Sequence, residues 1–245
     1  VAGKIVDSDI DTTGMEVGDR VVCTKYSGTV GASAIVDYFY ATITEVGEGY
    51  VQTSEETKIP TTGWKYLINQ TVFDGTGVST SGIIHCNSLS GILDINGINL
   101  INGTYRSVYL LDSGLSYIRY CILKDTRGLY ALGDTTLLTQ HCGLISLQVN
   151  TCAIHAAYGA YIQCINTVVN QDTANSFLLM CSSGSRVNGS YNGLFTGLHA
   201  IKSNSSDGVI ITDSHIDSTC TYGTYGYNIT LVNCTNNAAT PVYNL

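Results

Sequence analysis

Helix signals are missing from this chain. No stretch of a dozen residues keeps an i, i+3, i+4, i+7 apolar stripe, so no amphipathic helix is predicted. Charge and proline are scarce as well, at 12% charged residues and 2 Pro, while Gly, Ser, Thr, Asn and Val abound, which favours a strand-rich, turn-rich protein. No apolar run approaches a bilayer's thickness and no signal peptide is visible. The 11 basic residues in a chain of net charge −8 exclude the clustered Lys/Arg that nucleic acid requires. The same shortage argues against an anionic membrane surface, so neither nucleic acid nor membrane insertion is expected. No CxxC pair occurs, and His85, His141, His155 and His199 fit no metal-ligand spacing, so no metal or cofactor is expected. The GTGVSTSG run lacks the GxxxxGK[ST] spacing and a following helix, which excludes a phosphate-cradling loop. Val1 stands where an initiator Met would be, so the chain reads as a processed product or a piece of something longer.

Glutamate disappears after Glu56. Residues 1–62 carry 4 Lys/Arg against 10 Asp/Glu, and residues 63–245 carry 7 against 9, a break that predicts two domains. In the second, a short pattern recurs around Cys86, Gly103, Cys121, Cys142, Cys164, Cys181, Ser214 and Cys234, at intervals of 17, 18, 21, 22, 17, 33 and 20 residues. A period near 20 without helical spacing marks a β-solenoid, in which each turn is stable only when stacked on the next. The 33-residue interval reads either as one rung with a long loop or as two rungs, one without its marker. The small anchors are expected to form one inward column of packed thiols, and disulfides between stacked neighbours are the alternative. Just before the anchors stand Asn102, Tyr120, Gln163, Asp213 and Asn233, several of which suit a bend.

In the first domain, MEVGDRVVCTK, YFYATITEV and YVQTS read as strands joined by glycine turns. Too small to stand alone, they are expected to cap the coil's first rung. Trp64, at the junction, reads as a packing anchor. The module VGDRVVCTKYSGTVGASAIVDYFYATITEVGEGYVQTS, followed by FDGTGVSTSG and the repeats, resembles the start of the pectin-lyase-like right-handed β-helices of bacteriophage tail spikes and related virion fibres. The fold class expected is therefore all-β, a right-handed parallel β-helix over 63–245 capped by a small β module over 1–62. The resemblance implies a homotrimer on a virion, alongside other virion proteins, that binds and sometimes cleaves a host surface polysaccharide.

Cleavage by hydrolysis needs two carboxylates. The one dense cluster is ITDSHID, where alternation on a strand would project Asp213, His215 and Asp217 to one side as catalytic candidates, with Lys202 steadying an anionic sugar. The bland reading makes Asp213 a turn residue and Asp217 a solvated one. Asp112, Lys124, Asp125 and Arg127 are secondary candidates, and Arg119, Lys124 and Arg127 the closest basic set for a lyase. The NTD, DD, GHG and RIK segments of the polygalacturonase-type hydrolases are absent, which lowers the hydrolase reading.

For binding without cleavage the aromatics matter. Against 4 Phe the chain has 17 Tyr, and TYGTYGY places Tyr222, Tyr225 and Tyr227 in a glycine-spaced contact loop for a sugar, or at a subunit interface. Two main readings follow: a receptor-binding virion fibre component, or a polysaccharide depolymerase on the same coil. A secreted or cell-surface β-helix of a cellular organism is the third, kept open by six Asn-x-Ser/Thr sequons at Asn69, Asn102, Asn188, Asn204, Asn228 and Asn233.

Overall fold

The computed structural model describes residues 1–7, 10, 12–61, 63–69, 71–77, 82–103, 105–145, 152–171 and 177–243. Residues 78–81, the centre of the GTGVSTSG run, lie outside them. An antiparallel module comes first: β1 (Lys4–Val6), β2 (Arg20–Tyr26), β3 (Ile35–Gly47), β4 (Tyr50–Thr53) and β5 (Trp64–Asn69), ordered β1-β4-β3-β2-β5. Its own core gathers Val21, Cys23, Phe39 and Ile43, and Trp64 packs there, 5.6 Å from Phe39 between ring centroids. The anchor reading of Trp64 holds. Because β5 pairs with β2, the antiparallel module runs to Asn69, a little past the compositional break.

From β6 (Thr71–Asp74) onward the chain is a parallel solenoid of three sheets with eight, seven and eight strands. The first face holds β7 (Ile84–Asn87), β10 (Val108–Leu111), β13 (Leu129–Leu132), β16 (Cys152–Ala157), β19 (Phe177–Ser182), β22 (Gly197–Asn204), β25 (Cys220–Gly226) and β28 (Thr240–Tyr243). The second holds β8 (Leu93–Asn96), β11 (Gly114–Arg119), β14 (Thr135–Gln140), β17 (Tyr161–Ile165), β20 (Arg186–Ser190), β23 (Gly208–Thr212) and β26 (Ile229–Val232). The third holds β6, β9 (Ile98–Ile101), β12 (Ile122–Lys124), β15 (Gly143–Ile145), β18 (Val168–Asn170), β21 (Gly193–Phe195), β24 (His215–Ile216) and β27 (Thr235–Asn236). On the second face Leu93, Ser116, Leu137, Ile162, Val187, Val209 and Ile229 stand one above the next, at intervals of 20 to 25 residues. The expected solenoid period is thus the rung length. Leu110, Leu123, Leu129, Leu137, Leu144 and Ile154, all fully buried, fill the interior.

One corner explains the small-residue repeat. Between the second and third faces, Gly97, Tyr120, His141, Asn166, Tyr191, Asp213 and Asn233 all adopt positive φ, a left-handed residue at the same place in every rung. The next residue points inward: Cys121, Cys142, Thr167, Asn192, Ser214 and Cys234. The carbonyl two residues before the inward residue accepts the corner N–H of the neighbouring rung, as Arg119 O does from Gly97 N at 3.0 Å and Gln140 O from Tyr120 N at 2.9 Å, and a short side-chain donor fills its second lone pair. Cys121 Sγ donates to Arg119 O at 3.2 Å, Cys142 Sγ to Gln140 O at 3.4 Å, Thr167 Oγ1 to Ile165 O at 3.2 Å and Ser214 Oγ to Thr212 O at 2.8 Å. Hydrogen bonding, and not size alone, selects the residue.

Two expectations need correction. The anchors form no single column: Cys86 and Cys181 align on the first face, Cys164 aligns with Thr139, Gly189 and Ile211 on the second, and Gly103 lies near Thr126 past the third. Small residues are admitted at several inward positions, so residue type alone merges separate columns. The 33-residue interval covers two rungs, with Asn192 standing where the marker is missing. Nor does the module sit over the end of the coil; it packs along the outside of the third face, Val22 against Ile122 and Ile145, and Ile35 against Val168 and Phe195. Gly143 and Gly193 make that approach close enough that an added Cβ would lie 3.1 Å from Val22 and 2.7 Å from the Ile35 carbonyl oxygen.

All nine cysteines are unpaired thiols, and seven are buried. Burial pushes Cys164 and Cys181 up to about 11 and Cys152 and Cys220 up to about 12. Since the thiolate is the nucleophile, the native protein is expected to react quickly with a thiol reagent at Cys86 and Cys234 at most, and at all nine positions once unfolded. Prompt labelling of more than two thiols in the native state would contradict the buried placement.

Candidate functional site

The outer surface of the first face carries a ladder of rings and cations. In strands β16, β19, β22 and β25 two consecutive residues are buried (Ala153-Ile154, Leu178-Leu179, Ala200-Ile201, Gly223-Thr224), which breaks the two-residue alternation. Residues three apart then flank each buried pair on the outer side, Phe177 with Met180 and Tyr222 with Tyr225 partly exposed, while Cys152 and His199 are themselves covered by their neighbours. This is how Tyr222 and Tyr225 both reach His199, at 4.8 and 4.6 Å between ring centroids. Phe177 stacks on the other side of His199 at 5.3 Å, and Lys202 Nζ lies 4.4 Å from the Phe177 ring and 5.4 Å from that of Tyr225. Further along, Tyr130 meets His155 at 5.3 Å and Tyr109 meets His85 at 5.0 Å, spacings set by the stacking of rungs. Arg106 lies 4.7, 4.5 and 4.3 Å from the rings of Tyr105, Tyr109 and Tyr130, and Arg127 4.9 Å from Tyr105.

The charge of this face differs from that of the whole chain. None of its eight strands contains Asp or Glu. Among the described residues the ion pairs are Lys58–Asp37, Arg119–Asp94, Lys124–Asp125 and His215–Asp217, so Arg106, Arg127 and Lys202 rest on rings without a carboxylate. Burial, with the charge of Arg106, holds His155 down at about 4, and burial with Lys202 does the same for His199. Both imidazoles are neutral at pH 7, leaving the three cations as the fixed charges.

The ITDSHID cluster is arranged otherwise. Strand β23 ends at Thr212, and Asp213 is itself the left-handed corner residue, its Oδ1 accepting from Asn233 Nδ2 at 3.3 Å. The corner cancels the alternation that would have aligned it with His215 and Asp217. His215 and Asp217 do meet, Nε2 to Oδ2 at 3.4 Å, but His215 is only 6% exposed and its ring lies 6.0 Å from Phe195, on the face the module covers. Asp217 is pushed up by burial, yet the Thr219 N–H at 2.9 Å, the Thr219 hydroxyl at 2.7 Å and His215 hold it below the usual carboxylate range. A carboxyl held ionised in this way is a poor proton donor.

Of the sequence-predicted residues, Lys202, Tyr222 and Tyr225 are brought together. TYGTYGY is strand β25 and its exit, not a loop; Tyr227, beyond Gly226, is 55% exposed and its hydroxyl donates to Asn204 O at 2.9 Å, off the ladder. Arg119, Lys124 and Arg127 are divided between the second face, the third face and the edge of the first. Asp125 occupies a corner, and Asp112 Oδ1 accepts from Asp134 N at 2.9 Å at another. Arg106, Tyr109, Tyr130, His155, Phe177 and His199 escaped the sequence reading. Their signal was register: Tyr109 and Tyr130 are one rung apart. Among the described residues no group of three His, Cys, Asp or Glu is placed to hold a metal. Comparison with known proteins gives no matching family model, no matching curated protein and no matching solved structure.

Proposed function

We propose that the protein binds an acidic polysaccharide of a host cell surface along the first face of its coil, as a homotrimeric tail spike or fibre component working beside other virion proteins. The observation that carries the binding is the ladder of half-buried Tyr and Phe rings, three of them packed on the buried His199, interleaved with three cations and, among the described residues, no carboxylate. Rings offer flat apolar faces to the C–H groups of sugars, and the cations answer carboxylates or sulfates along the chain. The virion assignment comes from the resemblance of the module and repeats. Depolymerisation has weaker support, since only His215 and Asp217 of its candidate residues meet.

In a binding assay against acidic and neutral polysaccharides, the acidic ones are expected to bind, and more weakly as salt rises. Lys202→Ala and Tyr225→Ala are each expected to weaken that binding about tenfold, and Tyr227→Ala to leave it unchanged. Equal binding by all three variants would rule the face out. Release of reducing ends that Asp213→Asn with Asp217→Asn abolishes would favour the depolymerase.

A further inference from the structure

We infer that the cleft where the N-terminal module meets the corner between the second and third faces of the coil binds the carboxylate of one small sugar acid. This inference is independent of the first face. Three successive corner residues, Tyr120, His141 and Asn166, line one wall because each left-handed turn throws its side chain outward, and Tyr120 stacks on His141 at 5.1 Å and 15°. Lys65 of β5 lines the opposite wall, with Val22 and Leu67 as an apolar floor.

Two features define the ligand. Asn166 is 6% exposed; its Nδ2 donates to Gly31 O at 3.3 Å, while its Oδ1 is a buried acceptor without a partner. Lys65 has no ion pair among the described residues, and no Asp or Glu lines the cleft. Burial and the Lys65 charge together keep the His141 imidazole below its ordinary pKa, so the wall is neutral and the lysine supplies the positive field. The site therefore asks for an anion that also carries a hydroxyl donor. Its cavity volume of about 40 Å³ has room for about three waters or one carboxylate group. The body of the sugar would lie at the mouth, over Tyr120, with a hydroxyl reaching Asn166 Oδ1, which is closed to solvent as the walls stand, by parting Lys65 from the corner.

The test is an NMR titration of the whole chain with glucuronate, acetate and glucose. Glucuronate is expected to give saturable shifts at Lys65, His141 and Asn166, with acetate and glucose at least about tenfold weaker. Lys65→Ala and Asn166→Asp should each weaken glucuronate about tenfold as read at these positions, and Tyr227→Ala, off the ladder and away from the cleft, should leave it unchanged. Asp tolerates the left-handed corner, so the second variant stands if the first misfolds. Absence of saturable shifts, equal affinity for the three compounds, or full binding by the folded variants would overturn the site.

Discussion

Gly128→Ala is expected to remove about 3 kcal/mol or more of stability. Gly128 sits just before β13 at φ +83°, where an L side chain is strained, and its Cβ would be driven into the carbonyl oxygen of Ala153 on the next rung. That oxygen is backbone, so relief requires parting two rungs of a parallel ladder. Gly184 separates the two costs: its φ is +73°, but nothing lies within 4 Å of an added Cβ. Gly184→Ala should lose only the strain, about 1–2 kcal/mol. Denaturant midpoints of the two variants check this, and equal losses would show that rung separation contributes nothing.

Acidification should produce the second large effect. His155 and His199 titrate at about 4 in the folded protein, whereas an unfolded chain takes up the same protons near 6.5. Between those values the unfolded state holds more protons, so stability is fully present above about pH 6.5 and is lost as pH falls toward 4. For two partly shielded rings the loss is on the order of 3–6 kcal/mol. Asp217 adds a loss of the opposite origin, because its lowered pKa places that penalty at the acid end, after the imidazoles have titrated. Urea midpoints from pH 7 to 4 should slope downward, and His155→Gln with His199→Gln should flatten the curve above pH 4.5. A flat wild-type curve over that window would mean the rings are not buried as described.

Part of this architecture was legible in the residues because a coil repeats its constraints. Each rung has one left-handed corner residue, followed in most rungs by a short donor, and Tyr120-Cys121, Asp213-Ser214 and Asn233-Cys234 carry that pairing in sequence. The site was less legible. Asp213, His215 and Asp217 look like one side of a strand, and only the corner at Asp213 shows that they are not. Tyr222 and Tyr225 look mismatched by alternation, and the buried Gly223-Thr224 pair is what sets them side by side.

The sequence by itself determined an all-β chain, a rung near twenty residues and an acidic strand-forming module ahead of it, since composition and local turn chemistry act within one rung. Tertiary structure alone decided which columns form, that the module lies along the third face, and that rings and cations from separate rungs share one surface. Those outcomes depend on register between residues 20 to 25 positions apart, and a shift of one residue in any rung would send the same side chains to another face.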